Sequence, residues 1–140
     1  MKKILFFLSI LIIILVVLSS IYRRTVNIPE ALQIIKNDRI HALSWHKLQQ
    51  LSTFDFQTKR GDLFNGYKLS DILSLFKLDG EENITFHSID GGKLKLNCSE
   101  FGTLYLVLME NEDTVRLRLI IPEDEFSQRW MKYINRVVLE

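Results

Sequence analysis

Cysteine is almost missing from the chain. Cys98 stands alone among 140 residues, so no internal disulfide can form. Histidine is nearly as scarce: His41, His46 and His87 are the only ones. His41 and His46 lie five apart, so they do not share a helix face in the H-E-x-x-H manner, and a zinc site would have to be assembled from distant positions. Ser44, Ser70 and Ser88 have no G-x-S-x-G context, which leaves a hydrolase nucleophile elbow unsupported. No G-x-x-x-x-G-K-[ST] run is present either, which argues against a P-loop. After the first two dozen residues there is no repeat and no low-complexity segment. No small-x-small cleavage site follows the apolar N-terminal run, where the chain reads "VLSSIYRR", and no cysteine follows it that a lipoprotein would need.

That run is the first positive feature. Lys2 and Lys3 precede "ILFFLSILIIILVVLSSIY", residues 4–22, and Arg23 and Arg24 close it. As a helix it would reach roughly 28 Å, close to the ~30 Å hydrocarbon core of a bilayer. The pattern therefore predicts an uncleaved, single-pass transmembrane anchor over residues 1–24. The N-terminal flank carries Lys2, Lys3 and the α-amine, a bias that favours an extracytoplasmic C-terminal domain. Removing Lys2, Lys3, Arg23 and Arg24 leaves 14 basic against 17 acidic residues, about −3 for the remainder. That balance argues against a nucleic-acid binder, which needs a basic face.

Beyond the anchor, "VNIPEALQIIKND" reads as a short helix or stalk, with Pro29 in its first turn, so residues 25–44 are expected to link the anchor to a domain at 45–140. "SWHKLQQLSTF" reads as a second short helix with Ser44 as N-cap. "DFQTKRGDLFNGYK" suggests an extended segment and a loop. In "KLSDILSLFKLDG", Leu69, Ile72, Leu73 and Phe76 recur at the spacing of one buried helical stripe, with Ser70 as cap and Gly80 as stop. "NITFHSI" and "KLKLN" alternate on either side of "DGG", a hairpin signal. "TLYLVLME" and "TVRLRLIIP" form a further strand pair that Pro122 ends. "DEFSQRWMKYINRVVL" places Phe126, Trp130, Tyr133 and Ile134 at helical spacing, and "RVVL" is a possible last strand. The whole predicts one α+β domain with a mainly antiparallel β core and short helices.

Two stretches carry chemically suggestive residues. "FHSIDGGKLKLNC" joins His87, Asp90, two glycines, Lys93, Lys95 and Cys98, yet strands flank the glycines on both sides, so it reads as a turn and not a phosphate cradle. Cys98 lacks a helix N-terminus or cation beside it that would activate the thiol, and reads as a small, half-buried hydrophobe. In "VRLRLIIP", Arg116 and Arg118 share a strand face opposite Val115, Leu117 and Leu119. If that strand end meets the closing segment, Arg118, Arg129 and Lys132 form a small cationic pocket for a phosphate or carboxylate. The alternative is a solvated strand face with ordinary ion pairs.

The order of these pieces resembles the molybdopterin-binding domain of the sulfite oxidase family. Its counterparts here are Gly66, Leu69, Asp71, Ile72 and Leu73; Asp90 and Gly91; Leu104 to Leu108; Arg118 to Pro122; and Lys132, Tyr133, Ile134 and Val137. The resemblance spans roughly Leu48 to Leu139. It implies a sulfite-oxidase-like fold, and a molybdopterin that Arg118, Arg129 and Lys132 would hold by its phosphate. The chain departs from the pattern. "STFDFQTKRGDLFNG" lacks the cysteine that ligates molybdenum in the family, and Cys98 lies after the hairpin. Thr114, Val115 and Arg116 replace a glycine-x-proline, and the family's long N-terminal half has no counterpart. The resulting expectation is a membrane-anchored binding or accessory module without catalytic molybdenum, with a protein partner in the envelope. A molybdopterin-dependent oxidoreductase subunit and a structural subunit of a membrane complex remain the alternatives.

Overall fold

The computed structural model describes residues 10–19, 30–78, 82–97, 99, 102–111 and 114–140. Residues 10–19 are helical (α1). Nine strands follow: β1 (Glu30–Lys36), β2 (Arg39–Ser44), β3 (Phe54–Gln57), β4 (Leu63–Lys68), β5 (Asn83–Ser88), β6 (Lys93–Asn97), β7 (Tyr105–Asn111), β8 (Thr114–Ile120) and β9 (Ile134–Leu139). Two short helices interrupt them, α2 (Trp45–Gln49) and α3 (Leu69–Ser74), with a single 3-10 turn at Ser127–Arg129.

Tight turns fix most of the pairing. Asn37 and Asp38 both take positive φ, 49° and 61°, between the paired residues Lys36 and Arg39. That is the two-residue primed turn whose twist suits a hairpin. β3 pairs β4 and β7 pairs β8 in the same antiparallel way, and β4 joins β7 at Tyr67↔Leu106. The order β8-β7-β4-β3 makes one run of strands. The other is organised around β9, which lies antiparallel to β5 and parallel to β1. The two runs join where Leu117 of β8 pairs with Ile134 of β9. One continuous core draws on both: Ile34, Leu43, Phe86 and Val137 from one side pack with Leu106, Leu117 and Leu119 from the other, all fully buried. Leu48 of α2 and Ile72 of α3 close its ends.

Four sequence expectations are corrected. The fold is not an α+β domain, although its strand pairings are antiparallel, as expected, in every case but β1–β9 among the described residues. It is mostly β, with a mixed sheet, because β9 takes β1 as a parallel neighbour. The segment expected as a helix or stalk before residue 45 instead supplies two strands of that sheet. Leu32 and Ile34 alternate inward on β1, and the Asn37–Asp38 turn returns the chain; Pro29 lies outside the described residues. The expected N-terminal transmembrane helix is also not found: among the described residues no helix is long and apolar enough to cross a membrane. Residues 10–19 rise about 15 Å, half of a ~30 Å hydrocarbon core. Residues 4–9 and 20–22 of the apolar run lie outside the described residues. The closing segment corrects a smaller expectation. Its helical spacing is realised only as the 3-10 turn, and β9 takes over at Ile134.

Candidate functional site

The "DGG" turn between β5 and β6 is built by backbone and side-chain hydrogen bonds. Ser88 N–H donates to the Gly92 carbonyl (3.0 Å), and Gly91 N–H donates back to the Ser88 carbonyl (3.1 Å). Gly91 takes φ 89°, where an L side chain would be strained. The Ser88 hydroxyl donates to the Asp90 carboxylate and accepts from Gly92 N–H (2.9 Å), which also reaches Asp90 Oδ1 (3.3 Å). The Ser88 hydroxyl, and after it the Gly92 amide, hold the Asp90 carboxyl below the usual carboxylate range.

The segment leading into β9 is strapped against this turn. Met131 accepts a hydrogen bond from Leu119 N–H (2.8 Å) on one side, and Tyr133 accepts from Ile89 N–H (3.0 Å) on the other. Just before Met131, Trp130 turns inward, buried, its indole N–H donating to the Ile121 carbonyl (3.1 Å). Tyr133 sits at φ 59°, an uncommon conformation for an aromatic residue, at the bend that starts β9. With Trp130 anchored inside, Arg129 and Lys132 are left at the surface on either side of it.

A depression of about 300 Å³ lies between the turn and this segment, lined by Ser88, Asp90, Gly92, Lys93 and Leu94 and by Gln128, Arg129, Met131 and Lys132. Two of the three cations expected to meet, Arg129 and Lys132, line it. Lys93, read from the sequence only as an outward strand position, supplies a third. Arg118 does not line it. Its guanidinium lies over the Trp130 ring, 5.6 Å from the centroid, and its buried Nε has no hydrogen-bond partner among the described residues. The residues present therefore do not form the three-residue phosphate clamp that the family resemblance implies.

Arg129 is not a free cation. Its guanidinium pairs with the Asp124 carboxylate through Nη2 and through Nε (3.1 Å), and the Asp124 side chain is only 8% exposed. It lies on the ridge between this depression and a second, of about 430 Å³, lined by Lys59, Glu123, Glu125 and Phe126 among others. Counting Asp90 and Asp124 against Lys93, Arg129 and Lys132, the first depression keeps a small positive excess. Such a site suits a carboxylate or phosphate.

The other suggestive residues lie apart. The His41 ring rests against Phe76 at 5.3 Å, and His46 Nε2 meets the Gln50 amide (3.1 Å). His87 pairs across the ladder with Lys93. Among the described residues no group of three histidine, cysteine or carboxylate side chains is placed to hold a metal, and Cys98 lies outside them. No protein-family model matches the chain, and no curated protein matches it.

Proposed function

We propose that the β domain is a binding or accessory module, attached to a membrane through the apolar run of residues 4–22, and that the depression beside the β5–β6 turn receives an anionic group of its ligand. The observation that carries this reading is the meeting of Lys93, Arg129 and Lys132, from two distant parts of the chain, around one concavity. Lys93 and Lys132 are exposed and make no ion pair among the described residues. Lys93 contributes to the field on the Glu140 carboxylate, but neither lysine is committed to a close ion pair among the described residues, so both are available to an external anion. The membrane attachment is supported by the apolar residues 10–18 of α1, each between 41% and 63% exposed. An apolar surface of that kind is unfavourable in water and is covered by lipid or protein in the working molecule.

Titrating the full chain with inorganic phosphate and with acetate, followed by amide resonances, tests the site. Shifts centred on Lys93, Gly92 and Lys132, lost in Lys93→Ala/Lys132→Ala, are the expected result. Unperturbed resonances at millimolar ligand, or shifts unaffected by the double substitution, sink it. Flotation of the full chain with phosphatidylcholine vesicles tests the attachment: the chain is expected to float with the vesicles, and recovery in the vesicle-free fraction counts against it.

A further inference from the structure

We propose that the outer edge of β6 and the depression at its start form one docking site for an extended, acidic segment of a partner protein, which adds to the sheet as a strand beside β6. The proposal rests on the anion-site reading and extends it from an anionic group to the chain that carries it.

The first support is the state of the edge. Among the described residues β6 pairs only with β5. Asn83 exchanges both backbone bonds with Glu140 on the β9 side of β5, Ser88 N–H donates to the Gly92 carbonyl on the β6 side, and such pairs alternate along an antiparallel ladder. Given the register Phe86↔Leu94 and Ile84↔Leu96, the backbone groups of Lys93, Lys95 and Asn97 face away from β5. They form a short row of outward donors and acceptors, the template on which an added strand pairs.

The second support is continuity. Lys93 belongs both to this edge and to the depression. A strand laid along β6 therefore runs into the concavity, where one of its carboxylates meets Lys93 and Lys132 with Arg129 beside them. The other sheet edges lack this. β3 has four residues, and its Asp55 carboxylate is held by Asn65 (2.7 Å); β2 is not among the lining residues of the cationic depression.

Charge selects the occupant. Lys93 and Lys95 are both exposed on β6, so a second copy of this chain would set lysine against lysine across the new ladder, which is unfavourable. Lys95 already donates to the Glu140 carboxylate (2.6 Å), which shows that a carboxylate is accepted beside this strand. Lysine on an open edge disfavours indiscriminate strand addition, and an acidic strand is the one it admits.

The test uses the full chain in phosphatidylcholine nanodiscs and two blocked heptapeptides, one alternating valine with glutamate, the other valine with lysine. The glutamate peptide is expected to slow amide exchange at Lys93, Lys95 and Asn97 at least tenfold. The lysine peptide should leave them unchanged, and Lys93→Glu/Lys132→Glu should weaken the glutamate peptide at least tenfold. If inorganic phosphate shifts Gly92, Lys93 and Lys132 but the peptide protects no edge amide, the strand-addition proposal is overturned while the anion site stands. If neither probe acts, both fall. A response to phosphatidylglycerol nanodiscs without one to the peptide also overturns it, in favour of a lipid surface.

Discussion

At Gly66 the β4 backbone runs so close to β7 that a Cβ placed there would lie 2.9 Å from the Leu106 carbonyl oxygen and 2.9 Å from Val107 Cγ2. The first of these is backbone of a strand paired on both sides and cannot swing aside. Gly66→Ala is therefore expected to destabilise the domain by roughly 1–3 kcal/mol, the cost of forcing extra volume into a packed region. Urea denaturation measures it, and an unchanged midpoint would show that β4 and β7 are less closely set. Two carboxylates make a second argument at this scale. Lys95, first by its hydrogen bond and then by its charge, holds the Glu140 carboxyl below its ordinary range, and Ser88 does the same for Asp90. Both groups bind protons less readily in the folded chain than in the unfolded one. Their contribution is therefore complete above the ordinary carboxylate pKa of about 4 and is lost as pH falls through the lowered folded values. Thermal midpoints measured from pH 6 down to pH 2.5 should fall on the acid side. The fall should be shallower in Asp90→Asn and in Glu140→Gln, each of which removes one of the linked protons. Asp90→Asn also removes a negative charge from the rim of the depression and is expected to tighten phosphate binding there.

At the level of elements, the sequence is most informative where partners are close along the chain. The β5–β6 and β7–β8 hairpins follow from alternation and a turn, and Ser44 caps α2 as its residue type suggests, accepting from Lys47 N–H (3.3 Å). β1 was hidden, whereas β9 was read in part, as the closing strand "RVVL". Ile28, Leu32 and Ile35 fit a helical stripe as well as Leu32 and Ile34 fit a strand, and over seven residues periodicity cannot choose. What decides is β1 lying parallel to β9, about a hundred positions away, and no local pattern contains that pairing. One signal was present, the Asn37–Asp38 dipeptide, which suits a two-residue primed turn. The candidate site was legible to the same degree. Arg129 and Lys132 were found as a basic cluster, whereas Lys93 joins them only through the strap between Ile89 and Tyr133, and Arg118 is drawn off to Trp130. The turn offers a test. Glycine at the second turn position is freer to adopt positive φ than aspartate, so Asp38→Gly should raise stability by about 0.5–1 kcal/mol. A loss of stability would mean that the Asp38 side chain contributes more to the turn than its backbone strain costs.

For the molecule as a whole, the question is whether two runs of strands joined through Leu117 and Ile134 behave as one folding unit. Hydrogen bonding alone suggests a weak seam, since the runs meet at that pair. The packing argues the opposite. Phe86 and Val137 on one side and Leu106, Leu117 and Leu119 on the other belong to a single buried cluster, so neither run can open without exposing the apolar face of both. Burial at roughly 25 cal/mol per Å² outweighs what one ladder pair can supply, which makes the core the source of cooperativity. The two tryptophans sit in different surroundings, Trp45 lining a concavity with Leu108, Thr114 and Arg116 of the β7–β8 pair. Trp45 begins α2 next to β2, and Trp130 packs edge-on against Phe64 of β4 (5.7 Å between centroids) and hydrogen-bonds Ile121 just beyond β8. Trp130→Phe leaves Trp45 as the only reporter, and Trp45→Phe leaves Trp130. In each variant the fluorescence transition in urea should coincide with the far-ultraviolet circular dichroism transition, as a two-state unit requires. Trp130→Phe should have the lower midpoint of the two, because it also removes a buried hydrogen bond. Separated transitions in either variant would show that the Leu117–Ile134 seam divides the domain into units that unfold independently.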